Sequence, residues 1–365
     1  MDRATIEVYD RAARQYRAQR RPYRPERAVE FADAVPPGQL RLDLGCGPGL
    51  YLPLLGSPVV AADASAAMVA VARTHVPDAL PLRCDLTALP FGRGTVAGVW
   101  ASKAHQHVPA PALPGALAEL HRVLRVGGRL DLTMFATPTA GDADVETTVS
   151  GQDDSFPGRL FTLYRPAVLA DLLIGAGFSV DELAVVGDDW PRIEVTAHRT
   201  RTLADSVDGA MRLLVCGLNP SILSADVGVG FARPGNRFWP ALRLAGLTAR
   251  DRDVPGLLRH DHIGMTDLVK RPTVGASELT RDEYQAGHAR VERLCRLLSP
   301  GAICFVGLAG WRAAVDRKAV AGWQPQQIGA TPVYVMPSTS GLNARVPLAD
   351  LADHLRAAAG PPPPP

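Results

Sequence analysis

The chain has 365 residues, 47% apolar and 21% charged, which is enough to bury more than one core and rules out global disorder. It has no apolar leader and no stretch long enough to cross a bilayer, so a cytoplasmic protein of bacterial type with no membrane partner is expected. Net charge is +2, but residues 1–210 hold 21 Lys+Arg against 25 Asp+Glu (−4) and residues 211–365 hold 18 against 12 (+6), so the later part suits a polyanion better than the earlier one.

Leu40–Leu44 reads as a short buried strand running into a glycine cluster. Val59–Ala62 is a second strand ending at Asp63, and Ser65–Thr74 is helical. Leu80–Cys84, Val96–Ala101 and Arg129–Phe135 are further strands. Ala116–Arg125 is an amphipathic helix expected to stop at Gly127–Gly128. Residues 138–157 are acidic and read as a loop or lid. A helix over 167–176 and a closing hairpin of 180–186 with 193–198 complete a β-α alternation that implies a parallel sheet. A polar linker follows at 201–210. A second α/β pattern then has strands at 212–216, 302–306 and 333–336, and helices at 237–245, 284–298 and 347–358. Residues 359–365 form a disordered Pro-rich tail. The five cysteines (Cys46, Cys84, Cys216, Cys295, Cys304) show no C-x-x-C spacing and no companion histidines, so no metal site is expected.

The first constellation is Asp43-Leu44-Gly45-Cys46-Gly47-Pro48-Gly49 after one strand, Asp63 at the end of the next, and Asp85 at the end of the third. Glycines let the backbone turn sharply and leave room for a ligand, and a carboxylate about twenty residues on can accept ribose hydroxyls. With Asp63-Ala64-Ser65, Met68 and Glu119–Gly128, this set resembles the class I S-adenosylmethionine-dependent methyltransferases, in their small-molecule branch, over residues 1–200. The resemblance implies a Rossmann-like sheet binding S-adenosyl-L-methionine. Asp43, Gly45, Cys46, Gly47 and Gly49 would contact the methionine part, Asp63 the ribose and Asp85 the adenine, with Ala64, Met68 and Leu86 as further cofactor-binding residues. The segment Tyr9-Asp10…Tyr16…Arg21-Pro22-Tyr23 is also similar to that branch, where it often closes over the cofactor. The methyl acceptor stays open. His105 and His107 follow the fourth strand and are candidate bases, with ordinary surface histidines as the alternative. Trp100-Ala101-Ser102-Lys103 stands where a nucleic-acid amino-methylase would carry Asn/Asp-Pro-Pro-Tyr, which points to a small-molecule acceptor.

The second constellation is Gly217-Leu218-Asn219-Pro220-Ser221 at a strand end, then Phe231, Asn236-Arg237-Phe238-Trp239, the block 266–273, and Met336–Arg345. Together these resemble the mismatch-specific uracil/thymine-DNA glycosylases of the uracil-DNA glycosylase superfamily over residues 211–358. The resemblance implies an α/β/α sandwich that flips a pyrimidine out of DNA. Asn219 would hold the hydrolytic water and Phe231 would stack on the base. Leu218, Pro220 and Ser221 would read its edge, and Asn236 would shape the pocket. Ser338, Ser340, Gly341, Leu342, Asn343 and Arg345 would form the DNA-facing loop, with Leu342 as the plug. The partner is double-stranded DNA with a mismatched or damaged pyrimidine, which would place the protein on the nucleoid when bound. No cofactor is implied there. A neutral asparagine stabilises an oxocarbenium-like transition state less than an aspartate, which predicts a slow enzyme favouring G·U or G·T mismatches. No lysine matches a nucleophile position, so simple hydrolysis without strand cutting follows. Ser221 replaces a common glycine, and Ala344 stands as an extra residue before Arg345.

The expected protein is α/β with two domains and two activities. The alternatives are that only the glycosylase is catalytic, with a cofactor-binding or interaction module before it, or that the second domain binds damaged DNA without cutting. Met211 sits where an internal start would release the second domain alone.

Overall fold

A computed structural model of the chain describes residues 1–138, 143–188, 190–343 and 345–362. Ala344, the tail residues Pro363–Pro365, and residues 139–142 of the expected lid lie outside the described residues. Contacts divide the chain into two compact units, Met1–Ile174 with Phe178–Thr200, and Gly175–Gly177 with Arg201–Pro365.

The first unit opens with α1 (Arg3–Gln19), capped where Asp2 accepts from the Thr5 amide, and α2 (Pro25–Ala34). Then follow β1 (Arg41–Leu44), β2 (Val59–Asp63), α3 (Ala66–His75), β3 (Leu80–Arg83), β4 (Val96–Ser102), α4 (Leu113–Val123) and β5 (Leu124–Phe135). A hairpin of β6 (Val145–Val149) and β7 (Leu160–Tyr164) comes next. α5 (Pro166–Gly175), β8 (Phe178–Val186) and β9 (Arg192–Arg199) close the run. The seven-stranded sheet has the order β3-β2-β1-β4-β5-β9-β8. β1 to β5 are parallel, and β9 runs antiparallel between β5 and β8. The order reverses between β1 and β4, the crevice where such sheets bind ligands. Two expectations fail here. The helix ends at Val123, not at the glycine pair, because Leu124 already extends into β5; the glycines lie inside the strand at an irregularity in its pairing with β4. Part of the expected loop at 138–157 is strand β6, which the sequence hid because it is polar and almost wholly exposed.

The second unit has β10 (Leu213–Gly217), α6 (Ile222–Val227), α7 (Phe238–Leu244), α8 (Val254–Asp261), β11 (Ile263–Asp267), α9 (Arg281–Leu298), β12 (Ile303–Val306), α10 (Leu308–Ala314), β13 (Gly322–Ile328), β14 (Thr331–Met336) and α11 (Leu348–Ala359). Its sheet runs β11-β10-β12-β14-β13, parallel except for the edge strand β13. Thr280 and Glu283 cap α9 reciprocally. Phe238, Trp239, Leu242 and Leu257 pack with Val215, Met265, Met336 and Leu355 in one core. Residues 201–210, expected as a linker, carry contacts inside this unit: Ser206 pairs with Met265, and the buried Asp205 carboxylate takes Lys270 Nζ at 2.8 Å, Arg290 at 2.8 Å and the Thr266 hydroxyl at 2.7 Å. The expected α/β class is observed in both units. Among the described residues, no helix is long and apolar enough to cross a membrane.

Candidate functional sites

In the first unit, β1 leads into a turn through Gly45, Gly47 and Gly49, all with positive φ. Glycine is required at 45: a Cβ there would overlap that of Ala104. Asp63, at the end of β2, holds the turn by accepting from the Gly47 amide at 2.9 Å and the Ser65 amide at 2.8 Å. Asp43 is buried in β1 with one carboxylate oxygen unpartnered. Burial raises its pKa well above the usual range, and the Asp63 charge adds to this. Cys46, Ala64, Met68 and Leu86 are buried. A cavity of about 70 Å³ is lined by Gly45, Gly47, Asp63, Ala64 and Met68 on one side, and by Tyr9, Tyr16, Lys103 and His107 on the other. Met1 also lines it, and its ammonium reaches Asp85 at 2.9 Å and 3.1 Å, so that carboxylate is already engaged.

Both candidate histidines lie on a short buried turn. His107 bonds the Leu160 carbonyl at 2.6 Å and the Tyr9 hydroxyl at 2.9 Å, which occupies both ring nitrogens. His105 is sealed in, with neither nitrogen partnered. Burial pushes both down to about 4, so both are neutral near pH 7, and neither presents a free base to the cavity. Lys103 does face the cavity, and the sequence reading passed over it. It is the first residue after β4 and the only lysine in the first unit, a signal that was available.

In the second unit, a cavity of about 220 Å³ opens at the carboxyl ends of β10 and β11. Leu218, Asn219, Pro220, Ser221, Phe231, Asn236, Ser338, Ser340 and Leu342 all line it, so the structure brings these expected residues together. Asn219 donates its amide to the Arg271 carbonyl at 3.0 Å and the Thr273 hydroxyl at 2.8 Å. A carbonyl only accepts, so the NH₂ must face Arg271, and Oδ1 is left pointing the other way. Ser221 caps α6 by accepting from the Ser224 amide. Phe231, held at φ +58°, stacks on Phe238 with centroids 4.1 Å apart and lines the cavity. Asn236 Oδ1 accepts from the Phe238 amide and the Thr339 hydroxyl, both at 3.0 Å.

The loop after β14 is braced from within. The Asn343 amide turns inward to the Ser338 carbonyl at 2.9 Å, not outward as expected, and Arg237 donates to the Asn343 carbonyl at 2.6 Å. Gly341 approaches the Gly235 backbone so closely that a Cβ would lie 3.0 Å from its oxygen. Leu342, at the tip, is 95% exposed, and Arg345 is exposed beside it. The sequence reading gave no role to Asp267, which lines the same cavity. It pairs with Gly217 across β10 and β11, and a Cβ on Gly217 would collide with its carboxylate. Burial pushes its pKa up to about 6.

Residues 42–132 match the family model for a methyltransferase domain, and residues 205–357 match that of the uracil DNA glycosylase superfamily. Solved structures similar to part of the chain include the 1,6-didemethyltoxoflavin-N1-methyltransferase of Burkholderia thailandensis (20% identity, TM-score 0.43, 54% of this chain and 88% of that one). Another is an S-adenosylmethionine-dependent methyltransferase from Mesorhizobium loti (18%, 0.39, 47% and 96%). A third is a glycopeptide N-methyltransferase (17%, 0.40, 48% and 93%). The chain thus joins, in one polypeptide, a methyltransferase domain and a domain of the uracil DNA glycosylase superfamily.

Proposed function

We propose that the second domain excises uracil, thymine or a modified pyrimidine from G·U or G·T mismatches in DNA by hydrolysis, as a base-excision repair enzyme. The observation that carries this reading is the anchoring of the Asn219 amide by Arg271 and Thr273, which leaves Oδ1 as an acceptor for a water. The water oxygen bonds to C1′ as the bond to the base nitrogen breaks, the base leaves with the bonding electron pair, and the proton shed by the water neutralises the departing base. Phe231, which lines the cavity, offers stacking to the flipped ring. Leu342, on its braced loop, is shaped to fill the gap left in the duplex. Lys270 is tied to Asp205, which supports hydrolysis over an amine nucleophile. On a G·U duplex, Asn219→Ala should slow excision about 100-fold, the scale for one oriented polar group. Equal rates for the two proteins would refute the mechanism.

The first domain is proposed to bind S-adenosylmethionine and transfer its methyl group to a small molecule. When bound, the cofactor supplies an electrophilic methyl on its sulfonium. The residues present fit it: the open glycine turn, the unpartnered Asp43 oxygen that calls for a donor, and Asp63 at the second strand end. The cavity, at about 70 Å³, lies below the ~300 Å³ of common ligand pockets, so cofactor entry requires its lining to move apart. Calorimetry should give one S-adenosylmethionine per chain, weakened at least ~tenfold in Asp63→Ala. An absence of binding by the unaltered chain would sink this half of the proposal.

A further inference from the structure

We infer that the methyl acceptor of the first domain is an anion, a carboxylate or phosphate on a flat ring, held between Lys103 and Arg192 against Tyr23. This rests on the methyltransferase reading above. Lys103 follows β4 directly, and Arg192 opens β9 opposite Phe135, the last residue of β5. The two cations therefore stand at the same end of the sheet, Lys103 after β4 and Arg192 at the start of β9, with β5 between them. Tyr23, between α1 and α2, lies under both: its ring centroid is 4.5 Å from the Arg192 guanidinium and 5.3 Å from Lys103 Nζ.

Three neighbouring arginines are neutralised by carboxylates, while Arg20 lies over the Tyr16 and Phe156 rings. Arg24 pairs with Glu194 at 2.7 Å and Glu26 at 3.0 Å. Arg27 pairs with Asp131 at 3.2 Å and Glu194 at 3.5 Å, and Arg129 pairs with Asp131 at 2.6 Å. Among the described residues, neither Lys103 nor Arg192 forms an ion pair, and Arg192 Nε is buried with no hydrogen-bond partner. Two like charges on one ring repel, and partial removal from water makes both more costly. Burial, with Arg192 and Arg20 behind it, pushes the Lys103 ammonium down to about 8. Lys103 also holds a left-handed φ of +58°, a conformation that residues with a Cβ disfavour and that recurs at functional sites. An anion relieves both charges at once, whereas a neutral or cationic acceptor relieves neither. The flat ring follows from Tyr23, Phe135 and Trp190, which present aromatic surface beside the cations. Lys103 lines the cavity with Gly45 and Asp63, so an anion held there lies beside the methyl-donor site.

Ligand-observed fluorine NMR on the full chain loaded with S-adenosylhomocysteine tests this, with 4-fluorobenzoate, 4-fluorophenyl phosphate and neutral 4-fluorobenzamide as probes. At least one anion should bind about tenfold more tightly than the amide, as expected for charge-assisted contacts. Which anion wins tells carboxylate from phosphate. Lys103→Met and Arg192→Met should each abolish the preference, Lys103→Arg should keep it, and Arg192→Met, which lies outside the lining of the cofactor cavity, should leave S-adenosylhomocysteine binding in calorimetry unchanged. Equal binding of amide and anions, no binding of any probe, or a preference that survives both methionine substitutions overturns the inference. So does a parallel loss of S-adenosylhomocysteine affinity in Arg192→Met, which would assign that cation to the cofactor's own carboxylate. Failure of the unaltered chain to bind S-adenosylhomocysteine refutes the methyltransferase reading itself, and is distinct from the others.

Discussion

Asp267 and Asn219 stand at the ends of neighbouring strands and line one cavity. Asn219 brings no charge, so the nearby carboxylate is the residue able to supply a negative field to a positive transition state. Its pKa, pushed up to about 6 by burial, makes that field pH-dependent: it is present above pH 6 and lost as pH falls through it. Excision of uracil should therefore decline below pH 6, and Asp267→Asn should flatten the profile and slow the reaction ~10- to 100-fold at pH 8. The same substitution should raise the Tm of the second unit at pH 8. A carboxyl whose folded pKa is raised contributes stability below its unfolded value of 3.8 and loses it as pH rises through 6. A pH–rate profile and a melting curve check the two signs, and unchanged kinetics would remove Asp267 from the chemistry.

At the scale of elements, the loop after β14 carries its own prediction. Leu342 touches little at its exposed tip, while Asn343, Arg237 and Gly341 hold the turn beneath it. Leu342→Ala should leave the fold intact and cut excision from a G·U duplex about tenfold, since an inserted wedge offsets a few kcal/mol of unstacking. Uracil in single-stranded DNA has no gap to fill and should be processed at an unchanged rate. The elements legible in the sequence share burial: β4, β10 and β12 are buried nearly throughout and read as apolar runs, while β1, also buried, alternates leucine with Arg41 and Asp43 ahead of the glycine turn. β6 and β13 are polar edge or hairpin strands whose pairing comes from tertiary contacts, so they left no periodic mark. The glycine turn, Asp63 and Asn219 could be singled out from the sequence because they stand at or just after strand ends in a fixed order, whereas Phe231, between α6 and α7, was singled out only by resemblance. Arg192 and Asp267 were not legible, because what distinguishes them is missing or costly neighbours, and only the fold supplies those; Lys103 carried one sequence signal, its place as the sole lysine of the first unit directly after β4.

At the scale of the whole chain, the junction between units lies at Thr200/Arg201. A product beginning at Met211 would lack Asp205 and leave Lys270 and Arg290 buried together with no carboxylate between them. Removing one partner from a buried ionic cluster costs ~3–5 kcal/mol. Of two purified fragments, 201–365 should therefore melt well above 211–365, and equal melting would mean that the cluster contributes little. A native short form starting at Met211 would carry the same deficit.

The Asp205 cluster also bears on how such a fusion could arise. A gene for a free-standing second domain has to carry the codons for this segment, although the segment lies ahead of the first strand of the sheet. A join made by recombination would have little room to trim there. A breakpoint between codons 200 and 201 preserves the buried counter-charge, while one only ten codons later yields a protein that must fold around two unpaired cations.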